Sequence, residues 1–338
     1  MTLSPQTDAA SPVAPPQTAQ SLFSPIAADL AAVDDAIRDV AEVDNPLLSQ
    51  TLRVILSNSG KRVRPALTLL AARLHENRLP RRVELAVAAE LLHTATLIHD
   101  DVIDLADARR GRPTINAAFN NTLAVLTGDY LFGKSGELVS GLGSTAIMGV
   151  FSWAVMELVR GEMLRPTLDG DLAATERGYF AKIRGKTASL FAMCCQTGAM
   201  LDADDPETVA RLRDYGMNLG MAFQVVDDVL DYTASEAQLG KPVGSDLRHG
   251  TITLPAIYYL RRHPHDARVR GLLAHVEDYQ VEADAAVDAI RRSGAIEQAL
   301  ACAQGFAVDA AAQLAGLRHH PITDALYGLT RYVVDRHE

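Results

Sequence analysis

The sequence predicts an all-α fold. Two observations carry that expectation: no stretch alternates apolar and polar residues as a half-buried strand does, and apolar residues recur at spacings of three and four through most of the chain. A third gives the arrangement. Val83 to Ile103, and much of 186–201, are apolar on nearly every side, as the central helices of a large bundle are.

The elements follow in order. The first twenty residues contain no Lys or Arg and no apolar core segment, so they do not read as a targeting peptide; residues 1–23 are expected to be a disordered tail. Ser24-Pro25 offers an N-cap and a first-turn proline ahead of Ile26, Leu30, Val33, Ile37 and Val40, one face of an amphipathic helix. The ordered domain is therefore expected over 24–338. Asn45-Pro46 repeats the signal, and helical patterns follow at about 63–76, 81–104, 114–139, 144–161, 174–200, 206–232 and 252–263, with more toward the C-terminus. Gln238 to Gly250, rich in Gly, Pro and charge, reads as a loop. With no short repeat and no Pro/Gly linker, a single domain of roughly ten or more helices is expected.

Composition narrows the function. At 48% hydrophobic the 338 residues can bury a large core, and a formal charge of −10 is the wrong sign for coating nucleic acid or an anionic membrane. Any anion site must be local or metal-assisted. Cys194, Cys195 and Cys302 form no zinc spacing and no disulfide framework, which suggests a reducing, cytoplasmic setting. The longest greasy stretch, Ala146 to Val159, is broken by Ser152 and Glu157 and falls short of the roughly 20 residues a membrane span needs.

Two acidic motifs close apolar helices: Asp100-Asp101-Val102-Ile103-Asp104 and Asp227-Asp228-Val229-Leu230-Asp231, both of the form DDxxD. Residues i and i+4 share a helix face, so the first and last carboxylates of each can grip hard cations. A lone motif could be an acidic, solvated helix end; two are harder to dismiss, and acidic clusters at helix C-termini oppose the helix dipole unless cations compensate. Mg²⁺ held by carboxylates usually keeps open positions for phosphate oxygens. Basic residues should therefore lie nearby, and Lys61, Arg62, Arg64, Arg109, Arg110, Lys186 and Lys241 qualify. His93, two turns before Asp100 on nearly the same face, points toward the same end.

The segments GKRVRP, ELLHTATLIHDDVIDLADARRGRPT, GDYLF, GKTASLF, GMAFQVVDDVLDY and LGKPVGSDLRHGTITLPA resemble the trans-isoprenyl diphosphate synthases, the polyprenyl synthetases, from about residue 24 to the end. The resemblance implies a helical bundle, usually a homodimer, around a deep central cavity, with isopentenyl diphosphate and an allylic prenyl diphosphate as substrates and about three Mg²⁺ ions per site. Residue by residue it makes Asp100 and Asp104 ligands of Mg²⁺ on the allylic diphosphate, supported by Asp101, and Asp227 a ligand from the other side, with Asp228 and Asp231 behind it. Arg109, Lys186 and Lys241 resemble its contacts to the allylic diphosphate. Lys61, Arg64, His93 and Arg110 resemble its isopentenyl diphosphate pocket, and Thr187 and Gln224 the polar groups facing the reacting carbon. Two positions depart from the pattern: Thr251 stands where many members have Lys, and Arg165 ends a Gly161-Glu162-Met163-Leu164-Arg165 segment that often reads G-E-x-x-Q.

The implied reaction ionises the allylic diphosphate and adds the isopentenyl double bond to the cation, repeatedly. A terpene cyclase or a silent subunit of a heteromeric synthase is the competing reading. A cyclase needs no second diphosphate pocket, and a silent subunit generally loses aspartates. For chain length, small Ala95 and modest Thr96, five and four residues before Asp100, predict an open tunnel at a level where short-chain members carry bulky aromatics. A long product is expected, octaprenyl first and geranylgeranyl as the alternative, with Val139 and Phe151 as candidate deeper stops.

Overall fold

The computed structural model describes residues 19–57, 60–74, 81–109, 111–168, 171–201, 205–236 and 242–336. Its regular structure over these residues is helical except for one antiparallel ribbon of two residues a side, Ala108–Arg109 with Arg112–Pro113, a feature too short to leave an alternation in the sequence. The fold class is all-α, and among the described residues no helix is long and apolar enough to cross a membrane.

The chain enters earlier than Ser24. A turn of helix at Ala19–Leu22 precedes it, and Leu22 and Phe23 are buried in the core, because an apolar pair ahead of a helix finds cover even without a periodic run of its own. The rest of the expected tail, 1–18, lies outside the described residues. Ser24 is not an N-cap: Ser24–Ile26 is a 3₁₀ turn, and the Ser24 hydroxyl donates backward to the Ser21 carbonyl. The amphipathic helix follows as α1 (Ala27–Val40). At α2 (Pro46–Leu56) the expected cap is present, with Asn45 Oδ1 accepting the Leu48 N–H at 3.1 Å.

Next come α3 (Val63–Ala72), α4 (Arg82–Ile103), α5 (Asn121–Gly141) and α6 (Thr145–Met163). The single pattern at 114–139 is two helices, because Asn120 turns extended and caps α5 through Leu123 N–H at 2.8 Å, leaving Ile115–Ala118 as one turn. The pattern at 174–200 is also interrupted: α7 (Leu172–Ile183) and α8 (Ser189–Met200) are joined by a π-helical turn at Arg184–Ala188. Then come α9 (Pro206–Thr233), α10 (Leu254–Arg262), α11 (Ala295–Gln313) and α12 (Pro321–Asp335). The stretch read as a loop contains a helical turn, Ser245–Arg248, while 237–241 lie outside the described residues.

The apolar-all-round segments are the central elements. Ten of the twelve residues of α8 are buried, and α4 is buried continuously from Leu85 to Leu92. These two pack with α3 and α9 around one core, and the C-terminal half of α9 joins α10 and α11 in a second apolar cluster. Both acidic motifs thus end helices that the core holds rigidly, which fixes where their carboxylates can be.

Candidate functional site

Neighbouring residues on a helix point about 100° apart, and the two leading aspartates of the first motif diverge accordingly. Asp101 is buried and accepts Arg109 Nε at 2.7 Å. Asp100 turns to another side, where Lys186 Nζ stands 3.2 Å from its Oδ2. Asp104 is the C-terminal cap of α4, exposed, its N–H donated to the Asp100 carbonyl. Burial pushes the carboxyls of Asp100 and Asp101 above the ordinary aspartate value; Asp104 adds repulsion to both, and Glu162 adds more at Asp100. The nearby Lys186 and Arg109 reduce this without cancelling it. Such crowded carboxylates are a site that gains from a cation.

Lys186 is placed by the π turn. Gly161 of α6 and Gly185 of the turn meet backbone to backbone: a Cβ on Gly161 would stand 2.2 Å from the Lys186 amide nitrogen, and one on Gly185 2.7 Å from the Glu157 carbonyl oxygen. That contact brings Glu162 against the Lys186 ammonium. Burial pulls the Lys186 pKa down, but Asp100 and Glu162 outweigh it and leave it above the ordinary lysine value. Arg165 is exposed, donating to the Glu162 carbonyl at 2.6 Å, so the unexpected arginine flanks the same carboxylate from outside. Gly161→Ala is expected to cost about 1–3 kcal/mol, as overpacking does, and to move Lys186 off Asp100; a denaturation midpoint checks the first and a crystal structure of the variant the second.

The second motif is built around a buried chain of hydrogen bonds. Thr187 Oγ1 donates to Gln224 Oε1 at 2.7 Å, Gln224 Nε2 donates to Asp228 Oδ1 at 2.8 Å, and Tyr179 OH donates to Asp228 Oδ2 at 2.6 Å. Burial, with Asp246 nearby, drives the Asp228 carboxyl up to about 8, despite those donors. Asp231 is also buried, accepting the Asp246 N–H at 3.0 Å. Asp227 is the exposed member, and its near neighbour is Arg336 at 3.3 Å.

A cavity of about 870 Å³ opens between the motifs, and Lys61, Arg64, His93, Asp101, Arg109 and Asp227 all line it. Arg62, between the first two, does not serve the cavity alone: its guanidinium is tied to Asp34 at 2.9 Å and Glu90 at 2.8 Å, anchoring the segment that presents Lys61 and Arg64. The structure therefore gathers the expected residues into two neighbouring groups, the cavity and the Asp100–Lys186 cluster, with the Thr187–Gln224–Asp228 chain beside the latter. Arg110 and Lys241 lie outside the described residues. Among the described residues no three acidic, His or Cys side chains converge tightly enough to enclose an ion unaided. Aspartate carboxylates are the donors that a hard divalent cation takes.

Sequence reasoning missed two of the residues that the structure places here, and gave a third no role. Tyr179 lies seven residues before Lys186, and the argument applied to His93 could have found it. Glu162 stood in the G-E-x-x-Q segment, where only the arginine drew attention. Arg336, near the C-terminus, is almost wholly buried, with its guanidinium 3.9 Å above the Phe223 ring and donating to the Phe223 carbonyl at 2.8 Å; nothing local in the sequence ties it to Asp227.

Residues 45–290 match the polyprenyl synthetase family. Component 2 of the heptaprenyl diphosphate synthase of Geobacillus stearothermophilus is 40% identical over 94% of this chain and 98% of its own. The octaprenyl diphosphate synthase of Escherichia coli is 37% identical over 92% and 96%. Among solved structures, a polyprenyl synthase from Caulobacter crescentus, complexed with calcium and isoprenyl diphosphate, superposes with a TM-score of 0.90 at 33% identity, over 96% of this chain and 99% of that one. A decaprenyl diphosphate synthase from Rhodobacter capsulatus gives 0.87 at 36%, over 95% and 100%.

Proposed function

The chain belongs to the polyprenyl synthetase family and is a prenyltransferase that makes a long-chain all-trans polyprenyl diphosphate, and we propose that its side chains divide that reaction as follows, with octaprenyl diphosphate as product. The observation that carries the division is the placement of two acidic helix ends across one cavity lined by Lys61, Arg64 and Arg109, with Lys186 beside Asp100 of the first motif.

Asp100 and Asp104 on one side, and Asp227 on the other, would hold divalent cations, Mg²⁺ and about three in number, with Asp101, Asp228 and Asp231 fixing their setting from buried positions. A relative of the same fold, solved with calcium and isoprenyl diphosphate, supports the use of a divalent ion. When bound, such ions neutralise charge on the departing diphosphate. Lys186, Arg109 and Lys241 bind the allylic diphosphate and stabilise the charge that grows as its C–O bond breaks. Lys61, Arg64, His93 and Arg110 hold isopentenyl diphosphate with its double bond toward the nascent carbocation, and proximity supplies much of the remaining acceleration. Thr187 spends its hydroxyl proton on Gln224, so the Thr187 oxygen is left to face the cation with its lone pairs.

Purified protein with labelled isopentenyl diphosphate, an allylic primer and Mg²⁺ tests this directly. Elongated product supports the synthase, a cyclic hydrocarbon would establish a cyclase, and turnover only after addition of a second protein would make the chain one component of a heteromer. Within the synthase, Arg64→Ala is expected to raise the KM for isopentenyl diphosphate about tenfold or more, and Lys186→Ala to act through the allylic substrate; the same pattern in both would refute the two-pocket division.

The homodimer is part of the same proposal. Val125 and Phe132, seven residues apart on α5, and Met156, Val159 and Met163 on the adjoining α6 form exposed apolar stripes. Such stripes suit a two-fold contact with a second copy, and sedimentation equilibrium at micromolar protein would show it.

A further inference from the structure

We propose that Lys182 is a further contact to the allylic diphosphate, a second cation that acts beside Lys186. This rests on the reading above that Lys186 binds that group. Lys182 precedes Lys186 by four residues, so the two stand on nearly the same side of the chain, one turn apart. It is half-buried rather than solvated. The charges that act on it come from both walls of the site: Glu162 and Arg165 from α6, Lys186 from the π turn, and Asp228 from α9.

Three cations thus gather around one carboxylate. Glu162 is engaged by Lys186 and flanked by Arg165, and Lys186 also has Asp100. Among the described residues Lys182 forms no ion pair of its own. Burial, with repulsion from Lys186 and Arg165, holds its pKa below the ordinary lysine value against the pull of Glu162. An ammonium in that position is costly until an anion arrives, and diphosphate delivered to Asp100 and Lys186 is an anion of the required charge within one turn of it. Its contribution is therefore made on binding rather than on folding.

The test varies each substrate in turn for wild type, Lys182→Met and Lys182→Arg, with calorimetric binding of the allylic diphosphate alone as a readout independent of turnover. Lys182→Met is expected to weaken allylic binding and raise its KM about tenfold, the scale of a lost charged contact, with the isopentenyl diphosphate KM within about twofold. Lys182→Arg should bind normally at neutral pH. As pH rises toward the ordinary lysine range, wild type should lose an increment of allylic affinity that Lys182→Arg, whose guanidinium stays charged, keeps. Unchanged allylic affinity in Lys182→Met, equal rises in both KM values, or the same alkaline profile of allylic affinity in wild type and Lys182→Arg would overturn the proposal. If Lys182→Met fails to fold, the pH comparison of wild type and Lys182→Arg still decides. Failure of the functional reading shows differently, as a wild type that makes no elongated product.

Discussion

Asp100→Asn and Asp227→Asn are each expected to lower kcat by at least about a hundredfold, the scale on which charge stabilisation in a transition state acts, while helical content and the thermal midpoint hold. The reason lies in how the two residues sit. Asp100 is held among Lys186, Glu162 and Asp104 at the rigid end of α4, and Asp227 is the exposed carboxylate of a motif whose other members are buried. Asparagine keeps the shape and removes the charge, so the core that fixes both helices is not disturbed. Turnover should recover only in small part when Mg²⁺ is raised, because the loss is of a ligand and not of occupancy alone. Near-normal kcat in either variant would show that the carboxylates do not serve the departing diphosphate. Asp228→Asn is the instructive contrast: that group is buried, with its carboxyl raised to about 8, and serves as acceptor for Tyr179 and Gln224, so its loss should reach stability as well as rate.

The fold was legible because amphipathic period and burial agree along most of the chain. Val33, Ile37 and Val40 fall on one face of α1 and are buried as that spacing requires, and the near-uniform apolarity of α4 and α8 marked them as central. What stayed hidden depends on partners distant in sequence. The π turn at Arg184–Ala188 exists where Gly161 and Gly185 let two backbones touch, and neither glycine announces the other. Asn120 breaks the 114–139 pattern through its own cap, a signal that was present but overruled by periodicity. Motif spacing found the carboxylates and most of the cations that the structure brings near one another, since helix ends are set by local geometry. Arg336 escaped because its link to Asp227 is made only when α12 packs against α9.

Thr96→Phe is expected to shorten the dominant product from a long chain to about the geranylgeranyl or farnesyl length. Thr96 lies one turn before Asp100, about 6 Å further from the acidic end of α4, on the face that Asp100 turns toward Lys186. It is half-buried, and its hydroxyl is turned back onto the His93 carbonyl at 2.8 Å, which leaves a methyl group toward its surroundings. Ala95, the other position singled out in the sequence, is only 1% exposed and packed in the core, so phenylalanine there would overpack α4 and confound length with stability. Val139 and Phe151 are likewise buried in that core, as packing residues are. A chain that starts at Asp100 and Lys186 and grows along α4 must pass Thr96 early, and an aromatic ring at that level would close its path after few additions. Chromatography of the dephosphorylated products of wild type and Thr96→Phe, at matched turnover, reads the change. An unaltered distribution would place the growing chain on another face of the bundle and remove Thr96 from the control of length.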